Sequence, residues 1–187
     1  WLVSQKDAFT LKSPEAPTGA NVTLFMLIIM SALMGILNSY REICKEREIL
    51  SREVFGGLDI PAYVLSKFTV LSVVGIVQCA ILFGGTLLFI DFAYPVPATG
   101  YLCSYAAMAL TNISVMAVGL FISALLKKSE SAILPVLFII IMQVVFCDSL
   151  FSLEGAAGWL RYITPSAWGI AVFSGECALN SWAPREY

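Results

Sequence analysis

Residues 21–40 read NVTLFMLIIMSALMGILNSY, twenty positions without a charged side chain. A helix of about 20 mostly apolar residues crosses the hydrocarbon core of a bilayer. A helix or a closed barrel is also the only structure that satisfies every backbone N–H and C=O there without water. The pattern recurs three times. Residues 68–90 read FTVLSVVGIVQCAILFGGTLLFI, and an uncharged run reaches Leu126 after the break at YPVP (residues 94–97). SAILPVLFIIIMQVVFC then fills residues 131–147. Only 13% of the chain is charged, about half the share in soluble domains. The sequence therefore predicts an all-α, polytopic membrane helical bundle with spans at 21–40, 62–90, 99–126 and 131–147. Pro135 should kink the fourth span or mark its first turns. The chain opens on Trp1, not Met, and is expected to be one transmembrane domain (residues 1–187) cut from something longer.

Several functions are disfavoured by what is missing. The chain has no histidine, which removes the usual neutral-pH general base and most zinc sites. Its five cysteines are scattered, odd in number and without CxxC spacing, so they read as packing residues rather than a disulfide or metal framework. The net charge of −2 suggests no nucleic-acid partner. Asp91 and Asp148 sit at span ends, so no pair of membrane aspartates supports an intramembrane enzyme. Asn38, Gln78, Asn112 and Gln143 lie inside spans. They either face a substrate or bond between helices, and the second is commoner, at about 1 kcal/mol or less each. Ser31/Gly35 and Gly119/Ser123 have small-xxx-small spacing, which suits close helix packing. Asn21-Val-Thr23 matches a glycosylation acceptor.

Charge concentrates in REICKEREILSREV (residues 41–54), with eight charged residues in fourteen. As a helix it places Ile43, Leu50 and Val54 on one narrow face, and Glu48 and Arg52 form an i,i+4 pair. Gly56–Gly57 should stop that helix. Asp59 should cap the next, with Pro61 in its first turn. Basic residues at 41, 45, 47, 52 and 67 and the KKSE turn at 127–130 fall on one side of a four-span topology, and the 91–98 connection carries none. Residues 41–60 are thus expected in the cytoplasm. Acidic residues contribute little to topology, yet Glu42, Glu46, Glu48 and Glu53 are interleaved here. Mixed charge beside a thin apolar stripe suits a surface that docks a soluble protein, or it is a solvated connector.

EREILSRE followed by GGLDIPAYVLSK resembles the first cytoplasmic loop of ABC type 2 membrane domains, especially the G-subfamily exporters. The matching positions are Glu46, Arg47, Arg52, Glu53, Gly57, Ala62, Tyr63 and Lys67. WLRYITPSAWGIAVFSGECALN resembles the segment after that fold's fifth helix, through Trp159, Leu160, Pro165, Trp168 and Gly169. The flavour is that of bacterial half-transporters with forkhead-associated, ATPase and membrane domains on one chain. A proline often follows the family's E-R pair; here Glu48 stands in its place.

The resemblance implies a six-helix fold of which these spans are the second to fifth, with residues 1–20 an outer loop. It makes the charged loop a coupling element, with Glu46, Arg47, Arg52 and Glu53 touching a nucleotide-binding domain. It implies a substrate cavity on a dimer axis, lined by Leu27, Ser31 and Met34 from the first span and Leu137, Ile141 and Val144 from the fourth. Such an apolar lining suits a lipid or amphipathic substrate. Residues 155–175 are apolar, too short to span and split by Pro165; they read as a re-entrant or interfacial segment anchored by Trp159, Tyr162 and Trp168. In the family such a segment caps the cavity's exit, so Trp159, Pro165 and Trp168 are its outer-gate candidates. No GxxxxGK[ST] loop is present to cradle phosphate. The chain is expected to hold no catalytic site, cofactor or metal, with ATP and magnesium on an associated or fused domain. The implied setting is a multi-pass protein of the plasma membrane, in bacteria the inner membrane, in contact with lipid and a second, identical half. A non-enzymatic membrane scaffold or an ion-coupled carrier stays open as the alternative; a carrier would usually show charged or broken helices at the midplane.

Overall fold

The computed structural model describes residues 16–90, 92, 94, 97–126, 129–147 and 162–177. Within them lie α1 (Ala16–Ser39), α2 (Glu42–Lys45), α3 (Arg47–Phe55), α4 (Ile60–Leu87), α5 (Pro97–Leu125), a 3-10 turn (Ser129–Ala132), α6 (Ile133–Val145) and α7 (Pro165–Glu176). No strand occurs among the described residues. The stretches Gly19–Lys45, Ile60–Leu87 and Ala98–Leu125 are long and apolar enough to cross a membrane. The architecture is a polytopic helical membrane bundle.

The elements differ from the sequence expectation at particular places. α1 begins at Ala16, so Asn21 lies inside a helix, and Thr23 is buried and donates to the Gly19 carbonyl at 2.8 Å. A glycosylation acceptor belongs on a surface loop, so this triplet is helix instead. α6 has 13 residues and is about 20 Å long, short of a bilayer core of about 30 Å. Pro135 is its third residue, where the missing N–H has no intrahelical partner to lose. The proline therefore starts α6 rather than kinking it. The charged segment is not one helix. It bends at Glu46, which leaves the helical region at φ −99° and ψ 5°.

The bundle is organised around α1 and α5, which run parallel. Ser31 meets Met108, Gly35 meets Asn112, and Ser39 meets Gly119 in register. A Cβ on Gly35 would strike the Asn112 carbonyl, and one on Gly119 would strike the Ser39 hydroxyl. Ser31, Gly35 and Gly119 thus lie on the α1–α5 contact, while Ser123 turns to α2. Bringing backbones together gains dispersion in lipid, where apolar burial drives nothing. α4 and α6 run antiparallel to this pair. Gly75 faces Asn112 and Cys79 faces Ser31, while Val136 packs near Ile36 and Ile122. Val144 packs by Phe25 and Ile29.

The polar residues inside the spans tie helices together. Asn38 Nδ2 donates to Gln78 Oε1 at 2.6 Å across α1 and α4. Asn112 Nδ2 donates to the Ser31 carbonyl at 2.9 Å, and Ser31 Oγ to the Met108 carbonyl at 2.7 Å. Gln143 Oε1 accepts from the Ser166 amide at 3.2 Å, joining α6 to α7. At the end away from the charged segment, Phe83, Phe92 and Phe173 close the core with ring centroids 5.7–6.3 Å apart.

Gly35→Leu should destabilise the bundle by about 1–3 kcal/mol, because the obstacle is backbone and cannot yield. Gly84→Leu, with nothing within 4 Å of its added Cβ, should be tolerated. Thermal unfolding of both variants in lipid bicelles checks the contrast.

Candidate coupling site at the charged end

α1 delivers the chain to this end at Ser39, and α4 leaves it at Ile60. Between them, α2 is held by α5. The hydroxyl of Ser123 accepts the backbone N–H groups of Ile43 (3.0 Å) and Cys44 (2.9 Å). First-turn amides have no partner within their own helix, and Arg41 at the N-cap makes no side-chain cap bond. A buried serine on another helix does the capping. Arg47 adds a second tie, its Nη1 donating to the carbonyls of Leu126 (2.9 Å) and Ala124 (3.4 Å) at the C-terminus of α5.

Glu46 stands at the bend between α2 and α3 and ties the segment to α4. One carboxylate oxygen accepts from Tyr63 Oη at 2.6 Å, the other from Lys67 Nζ at 2.6 Å. Tyr63 and Lys67 are four residues apart on α4, hence on one face. Lys67 also lies 3.6 Å from Glu42. These bonds hold the Glu46 carboxyl below its ordinary value of 4.5, first through Lys67 and then Tyr63, against the opposing effect of partial burial.

α3 carries the rest of the charge into solvent. It has no buried residue, and Glu48, Arg52 and Glu53 are all exposed, with Phe55 91% exposed at its end. Gly57 ends the helix at φ +98°. Leu58 N–H bonds the Glu53 carbonyl and Gly57 N–H the Val54 carbonyl, both at 3.1 Å, the paired bonds of a Schellman motif. Asp59 occupies the N-cap position of α4 with extended backbone but makes no side-chain cap bond.

The four sequence-derived coupling candidates therefore divide. Glu46 and Arg47 are spent on contacts within the chain, while Arg52 and Glu53 face outward. Sequence reasoning took Ser123 only as half of a small-xxx-small pair, Tyr63 as a motif match, and Lys67 as a motif match and a topology signal. The four-residue spacing of Tyr63 and Lys67 was the available signal for Glu46's partners. Nothing local marked Ser123 as a cap for α2, since its partners lie 79 and 80 residues away.

The six cavity candidates do not share one lining. Leu27 is packed in the core with Phe83, Met108 and Phe173. Ser31 is fully buried, its hydroxyl donating to Met108, because that hydroxyl needs a partner in an apolar interior. Met34 is half-buried, and Leu137 and Ile141 are exposed on the outer face of α6. Val144 reaches α1, alongside Ile29, Ala32, Leu33 and Ile36, a row offset from the one drawn from sequence. Of the outer-gate candidates, Trp159 lies outside the described residues. Pro165 opens α7, and Trp168 is exposed, donating its Nε1–H to the Tyr162 carbonyl at 3.0 Å.

Glu46→Gln should cost on the order of 1 kcal/mol, kept small by the 32% of the side chain still open to water. The depressed carboxyl contributes its stability fully above the ordinary value of 4.5 and loses it as pH falls through the lower folded value. Thermal stability should fall on acidification in the wild type and flatten in Glu46→Gln; a melting series from pH 7 to pH 3 reads both.

The family described as ABC-2 type transporter matches residues 4–175. The chain is 27% identical over 178 residues to the ABC transporter ATP-binding/permease protein Rv1747 of Mycobacterium tuberculosis. That alignment covers 91% of this chain and 20% of the relative's length. No solved structure matches.

Proposed function

The chain belongs to the ABC-2 type transporter family, and from that premise we propose that it works as the membrane half of an ATP-driven exporter. It is a multi-pass membrane component of a transporter. Our reading adds the mechanism, in which a nucleotide-binding domain rests on α3 and its movement is carried into the membrane helices. ATP and magnesium on that domain supply the driving closure.

The observation that carries this reading is the clamping of α2–α3 at both ends of its bend. Ser123 and Arg47 bind it to α5, and Glu46 binds it to Tyr63 and Lys67 on α4. A push on exposed α3 is then transmitted to two spans rather than absorbed by a loose loop. Arg52 and Glu53 serve as docking contacts on α3, and Glu46 and Arg47 as the ties behind it. The basic residues at this end support a reading in which it faces the cytoplasm from a plasma membrane. The apolar outer faces of α1 (Met26, Met30, Leu37) and α6 (Leu137, Phe138, Ile141) suit pairing with a second copy around a lipid or amphipathic substrate. Alternating access of that pair, with Pro165 and Trp168 at the outer exit, completes the cycle.

The test uses the full-length parent protein in liposomes with a short-chain fluorescent phospholipid as the transported probe. Arg52→Glu combined with Glu53→Lys should lower ATP-dependent translocation about tenfold, a coupling loss of about 1.4 kcal/mol, while basal hydrolysis persists. Unchanged translocation would reject the docking role of α3.

A further inference from the structure

α4 and α5 touch closely from Gly75 upward, where Tyr105 Oη bonds the Ile76 carbonyl at 3.0 Å and Phe83 is buried. Toward the charged end they part. The gap is an open groove of about 480 Å³ lined by Val64, Leu65 and Phe68 of α4, Leu120 and Phe121 of α5, and Ile43 of α2 among others, all apolar. Ala124 borders it, and the Ala124 carbonyl is one of the two that hold Arg47. Arg47 is exposed and is anchored through Nη1; among the described residues neither Nη2 nor Nε has a partner.

We propose that this groove binds one anionic phospholipid, with an acyl chain between α4 and α5 and the phosphate on Arg47. The inference stands on the chain's being a membrane protein and not on the transport reading. A guanidinium fixed by one nitrogen keeps two donors in the fork geometry that matches phosphate oxygens. Its anchoring carbonyls have already lowered the entropy of placing it. The groove fits a flexible chain better than a helix. Its α4 wall (Pro61, Val64, Leu65, Phe68) has none of the small residues that let helices approach in membranes, and on α5 Ala117 and Ala124 flank the bulky Leu120 and Phe121. Basic groups beside gaps between membrane helices are known headgroup sites.

The experiment is native mass spectrometry of the full-length protein, extracted from vesicles of equal phosphatidylglycerol and phosphatidylcholine. The wild type should retain one phosphatidylglycerol per chain in preference to phosphatidylcholine. Arg47→Gln should reduce that preference about tenfold, and Arg47→Lys, a point charge without the fork, should restore part of it. Ala117→Phe, which fills the groove, should lose the bound lipid altogether. Lys45→Gln removes the same charge from the same segment away from the groove and should leave the preference intact. Equal retention of the two lipids by the wild type, or a preference that survives in Arg47→Gln, would overturn the proposal. So would a groove from which no lipid is recovered, the outcome expected if a protein helix fills it.

Discussion

Helices surrounded by lipid have no hydrophobic reason to associate, so the close approach of α1 and α5 must be built from shape and polar bonds. Gly35 and Gly119 remove the side chains that would hold the backbones apart. Asn112 and Ser31 then bond across the gap that remains. Other elements are positioned by this pair. α4 lies on it through Gly75 and Cys79, α7 through Gly169 and Phe173, and α6 through Val136 and Val144. Because α1 and α5 run parallel, both end at the charged face. That is why Ser123, near the end of α5, can cap a helix that starts three residues after α1 stops.

The charged segment inherits its rigidity from that arrangement. A solvated connector would leave its carboxylates and cations to water. Here Glu46 accepts two short bonds from α4, and Arg47 closes the exposed carbonyls of α5. Salt bridges in water contribute little stability, so these bonds matter more for where they hold the segment than for how firmly the protein folds. They fix α3 at a set angle to two membrane helices while leaving its own polar face open.

Much of the fold was legible in sequence, because uncharged runs of bilayer length admit few structures. The Gly-Gly stop was legible too, since the Schellman motif requires a residue that tolerates positive φ, and Gly57 supplies it. So was the bonding of Asn38, Gln78, Asn112 and Gln143 between helices. The bend at Glu46 was not, because it depends on Tyr63 and Lys67, 17 and 21 residues away. The surroundings of Ser31 were not legible for a related reason. A helical period of 3.6 places it on a face with Leu27 and Met34, but which neighbour covers that face is a tertiary fact. The match to the ABC-2 type transporter family agrees with the resemblance read from the EREILSRE and WLRYITPSAWG stretches. It does not identify which side chains meet a substrate.

The central claim is that Glu46 and Lys67 act as one tie between the docking surface and α4. A double-mutant cycle in the full-length protein addresses it directly, with Glu46→Gln, Lys67→Met and both together, reading phospholipid translocation per ATP hydrolysed. If the tie is one unit, the double variant should lose no more than the worse single one, leaving an interaction energy of about 1 kcal/mol. Losses that simply add would mean the two residues act independently, and the segment would not be the lever described.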